Sequence, residues 1–402
     1  MTRRGELRRS AADWVRSLTT VILLVAACDA RVSEERAAAV ADTHSGMLVL
    51  LWEIGGVDAP RGAFTGVLAR ERVDGSVLVV DPTAQELHFY SAEGTYLRTR
   101  TVGGDGPGEV RGRFDIALAG DTVFMFGDTP IQRQVGWLEL RSATAGSTRL
   151  VTGTTNGGVR ILGRLSHGIW LLRDRPPWRT AVAELKPGAL LPESLTLGLT
   201  EAAVGSQELV ISWLPRFETG AIVAFDWPDG PIPYGTWSYR YSYGTLYAVA
   251  DRNLWLLDSR TGQLDRWRSG AEHLALSAPT VAAQPFDPAA VAAVRRNALA
   301  SARTSLERYR VAAVHDARFL PAKMPLASAL IGTSDGGVWI EGFRVETRGP
   351  RHYLALDSLG DRTGVYQVPE DVHVLSVGRR LVLASRVDED GVEYVVAFAK
   401  PF

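Results

Sequence analysis

The clearest pattern along the chain is a set of short apolar runs separated by turn residues. Between residues 64 and 104 these runs fall at 67–72, 76–81, 86–90 and 95–100, with turns at Asp74–Gly75 and Glu93–Gly94. Four short runs rich in β-branched and aromatic residues predict an antiparallel meander. A four-stranded meander of about 40–45 residues is the size of one propeller blade. The second run recurs as a turn followed by valine, tryptophan and leucine, at Val77, Val123, Ile169, Leu246, Val338 and Leu381. The successive spacings are 46, 46, 77, 92 and 43 residues, so three are single blades and two are a blade plus an insertion.

The first insertion, about 205–235, is rich in proline and tryptophan and reads as an extended loop or outer-strand excursion. The second, about 285–325, has a different period. Val291, Val294, Leu299, Leu306 and Val311 recur at helical spacing, with Asp287 placed as an N-cap and Pro288 at the first helical position. A seventh blade would also fit the 92-residue gap, but the helical period argues against it. The last unit offers only three runs, near 372–377, 380–387 and 392–399, while the early run 47–54 has no partner. Docking 47–54 as the fourth strand of the last blade would close the ring and remove an exposed edge. The expected fold is all-β: a six-bladed β-propeller over 46–402, with an N-terminal strand closing the last blade and a helical insertion between blades four and five.

Residues 1–27 read as an address rather than a fold. Arg3, Arg4, Arg8, Arg9 and Arg16 precede an apolar run, 18–27, that ends at Cys28. That is the layout of a signal peptide, and ten residues are too few to span a ~30 Å hydrocarbon core as a helix. The tetrapeptide Val25–Ala26–Ala27–Cys28 resembles the bacterial lipobox, in which the peptide is cut before the cysteine and the thiol is acylated. Cys28 is the only cysteine, which excludes a disulfide framework. The expectation is a chain lipidated at Cys28, tethered by 28–45 and exported to face the periplasm or exterior. Asp29 resembles an inner-membrane retention signal, but the choice of membrane stays open.

A wider resemblance rests on "FYSAEGTYLRT" followed by "GGDGPGEV", and on "DGGVWIEGF", "YLALDSLGDRTGVYQVP" and "VEYVVAF" near the end. These resemble the six-bladed propeller proteins of the broad NHL and TolB-like group, many of them bacterial lipoproteins. Val110 stands where that pattern usually has phenylalanine. The resemblance implies the fold; the group has no single activity, so it implies no catalytic residue.

Composition narrows the function by exclusion. The net charge is −1, lysine occurs only at 186, 323 and 400, and the arginines are scattered, so nothing points to nucleic acid. The seven histidines show no metal-helix spacing, and there is no G-x-S-x-G elbow. The glycines at 103–108 could cradle a phosphate only if a helix followed, and a strand is expected at 114–118 instead. Asp388–Glu389–Asp390–Gly391 reads as a hairpin turn rather than a calcium loop. Asp81, Asp128 and Asp251 sit near the ends of second strands, either ringing a channel or capping turns. In the aromatic stretch 231–243, Trp237, Tyr239, Tyr241 and Tyr243 would share one strand face, for packing or for sugar or peptide recognition. No catalytic residue, cofactor or metal ligand is assigned. The sequence favours a membrane-anchored module that binds a protein or small ligand on a propeller face. The alternatives are a lactonase-like hydrolase or lyase with a channel metal, and carbohydrate or peptide capture.

Overall fold

The computed structural model describes residues 44–56, 64–112, 114–119, 121–127, 134–141, 144–149, 159–164, 169–174, 190–201, 211–226, 234–238, 240–268, 272–276, 287–316, 318, 320–345 and 349–401. All but His44 belong to one compact unit, Ser45–Phe402. The described residues are mostly β, with two α-helices, α1 (Pro288–Ser301) and α2 (Ser305–Val314).

The strands pair into antiparallel sheets in chain order. Sheet 1 is Leu68–Glu71, Val77–Asp81, Glu86–Tyr90 and Tyr96–Thr101. Sheet 2 is Phe114–Ala119, Thr122–Gly127, Gln134–Glu139 and Ala145–Arg149, and sheet 3 is Val159–Arg164, Ile169–Asp174, Leu197–Glu201 and Ile211–Trp213. Sheet 4 is Thr245–Ala250, Asn253–Asp258, Leu264–Arg268 and Glu272–Leu276. Sheet 5 is Ala327–Gly332, Val338–Gly342, Arg351–Leu356 and Arg362–Val368, edged by the short strand His44–Met47. Sheet 6 is Val372–Val377, Leu381–Val387 and Glu393–Ala399, with Leu50–Gly55 as its fourth strand. A smaller sheet joins Leu190–Leu195, Phe217–Asp226 and Tyr234–Ser238.

The second strands were legible because they are buried on both faces. Val77–Asp81 is buried at every position and Asn253–Asp258 at all but its last, which produces an unbroken apolar run rather than an alternating one. Each face packs on a neighbouring sheet. Leu78, Val80 and Phe89 of sheet 1 meet Phe114, Val123 and Met125 of sheet 2. Arg164 of sheet 3 lies 4.1 Å over the Phe124 ring of sheet 2. Leu171 and Leu197 of sheet 3 meet Leu254 and Leu256 of sheet 4, and Trp255 of sheet 4 meets Val338 and Ile340 of sheet 5. Trp339 and Tyr353 of sheet 5 meet Val382 and Phe398 of sheet 6, whose Leu383 and Val395 pack on Ala69 and Val79 of sheet 1. Sheets stacked face to face in a cycle are a propeller arrangement.

The strand Leu50–Gly55 pairs antiparallel with Glu393–Ala399. Glu53 takes two nitrogens of the Arg386 guanidinium, at 2.9 and 2.6 Å, and Trp52 donates its indole N–H to the carbonyl of Ala92, in the last hairpin turn of sheet 1, at 2.8 Å. The expected single run 47–54 is divided. Leu48 turns inward into the core between sheets 5 and 6 and donates its N–H to Gln367, while the Val49 carbonyl accepts from Ala399. One buried leucine at the junction thus splits the run between two sheets.

One other expectation changes. Leu246 lies in the first strand of sheet 4, and the second strand is Asn253–Asp258. The turn between them carries no glycine: Asp251 itself takes the left-handed conformation, φ +48°, one of the few non-glycine types that does so readily. Of the two readings of 205–235, an extended loop and an outer-strand excursion, 211–226 and 234–238 follow the second: they supply the outer strand of sheet 3 and two strands of the small sheet.

Connectivity gives the ring two distinct ends. In a meander the hairpin after the second strand lies at the same end as the crossing to the next sheet, provided successive first strands run parallel. The parallel bridge between Thr333 and Val377 shows that they do in sheets 5 and 6. Leu190–Leu195 lies between the second and third strands of sheet 3, and the rest of the small sheet lies on the crossing to sheet 4. Helices α1 and α2 lie on the crossing from sheet 4 to sheet 5. Among the described residues the small sheet and both helices therefore belong to one end, the crossover end.

Candidate functional site

At that end the small sheet meets the first strands of sheets 4 and 5 and leaves a cavity of about 330 Å³ that opens to solvent. Thr245, Leu246 and Tyr247 form one wall, Ala329 and Leu330 another, and Leu195 and Thr219 of the small sheet the third. The two first strands come together closely because Gly332 has no side chain; a Cβ there would collide with the Val249 carbonyl. Small-molecule sites are concave, mostly apolar and carry a few placed polar groups, with volumes from about 300 Å³ upward. This cavity is at the lower end of that range. Among the described residues its polar lining residues are Thr219, Thr245 and Tyr247.

The helix pair is fixed nearby. Asp287 caps α1 by accepting from Ala289 at 2.8 Å, and Thr304 with Glu307 forms a reciprocal capping box on α2. Tyr241, wholly buried, packs with Val291, Ala313 and Met324 and places its hydroxyl 3.1 Å from Nδ1 of His315. Tyr243 donates to the Lys323 carbonyl. Tyr241 and Tyr243 are thus packing and tying residues. They lie beyond the strand Tyr234–Ser238 that carries Trp237, so the four aromatics do not share one strand face. Tyr239 lies outside the described residues.

His315 is 3% exposed, and burial, then the nearby Arg240 and Arg295, pushes its pKa down to about 4. A histidine held neutral in the fold takes up its proton more readily when unfolded. Stability is therefore expected to be constant above pH ~6.5 and to fall by roughly 3 kcal/mol as pH drops toward 4. Urea unfolding at pH 7 and pH 4.5 checks this. The variant His315→Gln should show a smaller loss between the two.

A polar cluster joins sheets 5 and 6 near the same end. Arg351 donates to Glu341 at 2.6 Å, to Nε2 of His373 at 2.9 Å and to the Glu370 carbonyl at 3.2 Å. The Glu341 side chain is 9% exposed, so the pair is nearly dry. Burial, then the Arg351 charge, holds the His373 pKa below its ordinary value.

The residues singled out from sequence separate into distinct places. Asp81 accepts from the backbone N–H of Thr83 and Ala84, both at 2.9 Å, and caps a turn. Asp251 is exposed in the turn before the second strand of sheet 4, and Asp258 occupies the position equivalent to Asp81, accepting from Arg260 and Thr261. Asp128 and Cys28 lie outside the described residues. Asp388 accepts from Asp390, Val392 and the Tyr394 hydroxyl in a hairpin turn. In the 103–110 segment the Glu109 carboxylate accepts the Gly106 N–H at 2.7 Å, so the loop's own anion sits where a phosphate would. His88, His273, His315 and His373 are engaged separately. Among the described residues no three histidine, cysteine, aspartate or glutamate side chains gather as a metal site.

The sequence reading missed Thr219, Thr245 and Tyr247. The available signal was Gly220 inside an extended run, since an isolated glycine in a strand marks a bulge or a close approach.

No family model and no curated protein matches the chain. Among solved structures, virginiamycin B lyase from Staphylococcus aureus is 10% identical, with TM-score 0.38 over 87% of this chain and 99% of that one. A member of the DUF4221 family from Bacteroides vulgatus is 9% identical, with TM-score 0.44 over 89% and 97%. The calcium-binding protein regucalcin from Agrobacterium tumefaciens is 10% identical, with TM-score 0.35 over 89% and 96%. Likenesses this distant carry no residue role or activity onto this chain.

Proposed function

We propose that the chain is an exported lipoprotein whose six-bladed propeller, 46–402, binds a ligand in the cavity at its crossover end. Residues 1–27 are the leader, Cys28 carries the lipid, and 28–45 tether the propeller to the cell envelope on its extracytoplasmic side. The segments about 205–235 and 285–325 are insertions on the crossings around blades three, four and five. The observation that carries the binding reading is the cavity itself. It is walled by two blades and by a sheet that the propeller does not need for its own closure.

Two measurements test the two halves. In a cell fractionation, wild type should sediment with membranes and Cys28→Ser should move to the soluble fraction. A variant that sediments as wild type does removes the anchor. In a thermal-shift screen of small molecules, a ligand at a hundred times its Kd should stabilise wild type by about 2.7 kcal/mol, a shift of a few degrees. Leu330→Trp fills the cavity and should lose that shift. An equal shift in both proteins places the ligand elsewhere.

A further inference from the structure

Large apolar side chains are exposed unevenly along the chain. Among the described residues eleven are exposed, and four of them, Met47, Val49, Leu50 and Leu51, fall within five consecutive positions at 51–66% exposure. The other seven stand apart from one another in sequence. Isolated exposed apolar residues are ordinary, whereas a contiguous set marks a contact surface. The backbone here is also unguarded. Leu50–Gly55 is the outermost strand of sheet 6, and edge strands are normally protected by a charge or a proline. Residues 47–51 carry neither. Basic groups flank the run. The Val49 carbonyl accepts from Ala399, and the next residue, Lys400, donates its backbone N–H to Arg380. The Arg380 side chain pairs with Glu71 and that of Lys400 with Asp335, while Arg379 is exposed. Apolar side chains beside long basic ones are the composition of a contact with a bilayer interface, where the basic heads reach the headgroups.

The position of the run in the chain names the partner. Residues 28–43 lead into the described strand at His44, and Met47 stands nineteen residues after Cys28. That length of extended chain reaches at most about 65 Å, and any other surface of the propeller lies beyond this point of entry. We infer that the run 47–51 rests in the interface of the bilayer that holds the Cys28 anchor, as a second, non-covalent contact that orients the propeller. The inference rests on the lipid anchor at Cys28 and goes beyond it. The contact is small, so it holds only a propeller that the anchor already keeps at the surface, and Cys28→Ser still moves to the soluble fraction.

The test uses the acylated mature protein, purified from membranes and inserted into preformed vesicles of phosphatidylcholine and phosphatidylglycerol. With Cys28 acylated, Val49→Cys carries the sole free thiol and takes a thiol-reactive nitrobenzoxadiazole dye. Ser212→Cys, exposed on the outer strand of sheet 3, and Tyr309→Cys, exposed on α2, take the same dye as references. A phospholipid spin-labelled near the top of its acyl chain should quench the dye at 49 at least about threefold more than at 212 or 309, and iodide in the water should quench it less. Adding Leu50→Asp and Leu51→Asp should bring the lipid quenching at 49 down to the reference level, because a charged run resists leaving water. Both leucines are exposed, and circular dichroism melting checks the fold. Equal lipid quenching at all three positions overturns the inference. So does a dye at 49 that is shielded from iodide without being quenched by lipid, since the tether or a second copy of the chain would then cover the run. Wild type is the check on the anchor. If it takes up the dye, Cys28 is not acylated, and the anchor and the contact resting on it both fail. If wild type stays unlabelled and the dye at 49 matches the references, the anchor stands and the contact alone is wrong.

Discussion

A chain that begins after Gly56 is expected not to fold. The segment removed contains Leu48, buried between sheets 5 and 6, and Trp52 and Ile54, packed against the core that joins sheets 6 and 1. Truncating one buried leucine costs about 2–5 kcal/mol, and the partly buried Trp52 and Ile54 add smaller losses. Together these losses approach the roughly 5–15 kcal/mol that holds a typical domain together. The deletion also strips the partner from Glu393–Ala399, leaving a long apolar strand with an open edge, which invites aggregation. The measurement is size-exclusion chromatography with far-ultraviolet circular dichroism melting. Aggregate without a cooperative transition is the expected result. A monomer melting within a few degrees of wild type would show that the ring does not depend on this strand. The ion pair Arg386–Glu53 is a minor part of the effect. It is partly exposed, and such pairs contribute about 0–1 kcal/mol.

The second large effect is expected at Arg351. Replacing it by alanine leaves the Glu341 carboxylate nearly dry and unpaired, and it removes the donor to His373 across the junction of sheets 5 and 6. Breaking a buried pair from one side costs about 3–5 kcal/mol, because the remaining charge loses its partner without regaining water. Replacing both partners by apolar residues of similar size should cost much less, since the dry charge is gone. Urea unfolding of Arg351→Met, Glu341→Leu and the variant carrying both closes a double-mutant cycle, with Arg351→Ala measured beside it. A loss below about 1 kcal/mol for Arg351→Ala would mean that water reaches Glu341 in solution.

The meanders were readable because sheets packed on both faces need continuous apolar second strands, and Val77–Asp81 is such a run. The reading slipped by one strand in sheet 4. There the turn glycine is replaced by Asp251 in the same backbone conformation, so composition hid what geometry kept. The small sheet was not readable at all. Its central pairing joins 190–195 to 217–226 across the third and outer strands of sheet 3, and no local period records a pairing of that range. The N-cap at Asp287 was legible because a cap is a local hydrogen bond. The candidate site was illegible for the opposite reason. Thr219, Thr245, Tyr247 and Leu330 are ordinary residue types, and only their convergence makes a cavity.

Hydrogen exchange of the intact protein, with and without a small molecule that gives the thermal shift, is the most direct test that this convergence is where a ligand sits. Added protection should fall on the first strands of sheets 4 and 5, Thr245–Ala250 and Ala327–Gly332, and on Phe217–Asp226 of the small sheet. The loops at the opposite end of the ring should be unchanged. Protection confined to that opposite end, or spread evenly over all the sheets, would contradict a binding cavity beneath the small sheet.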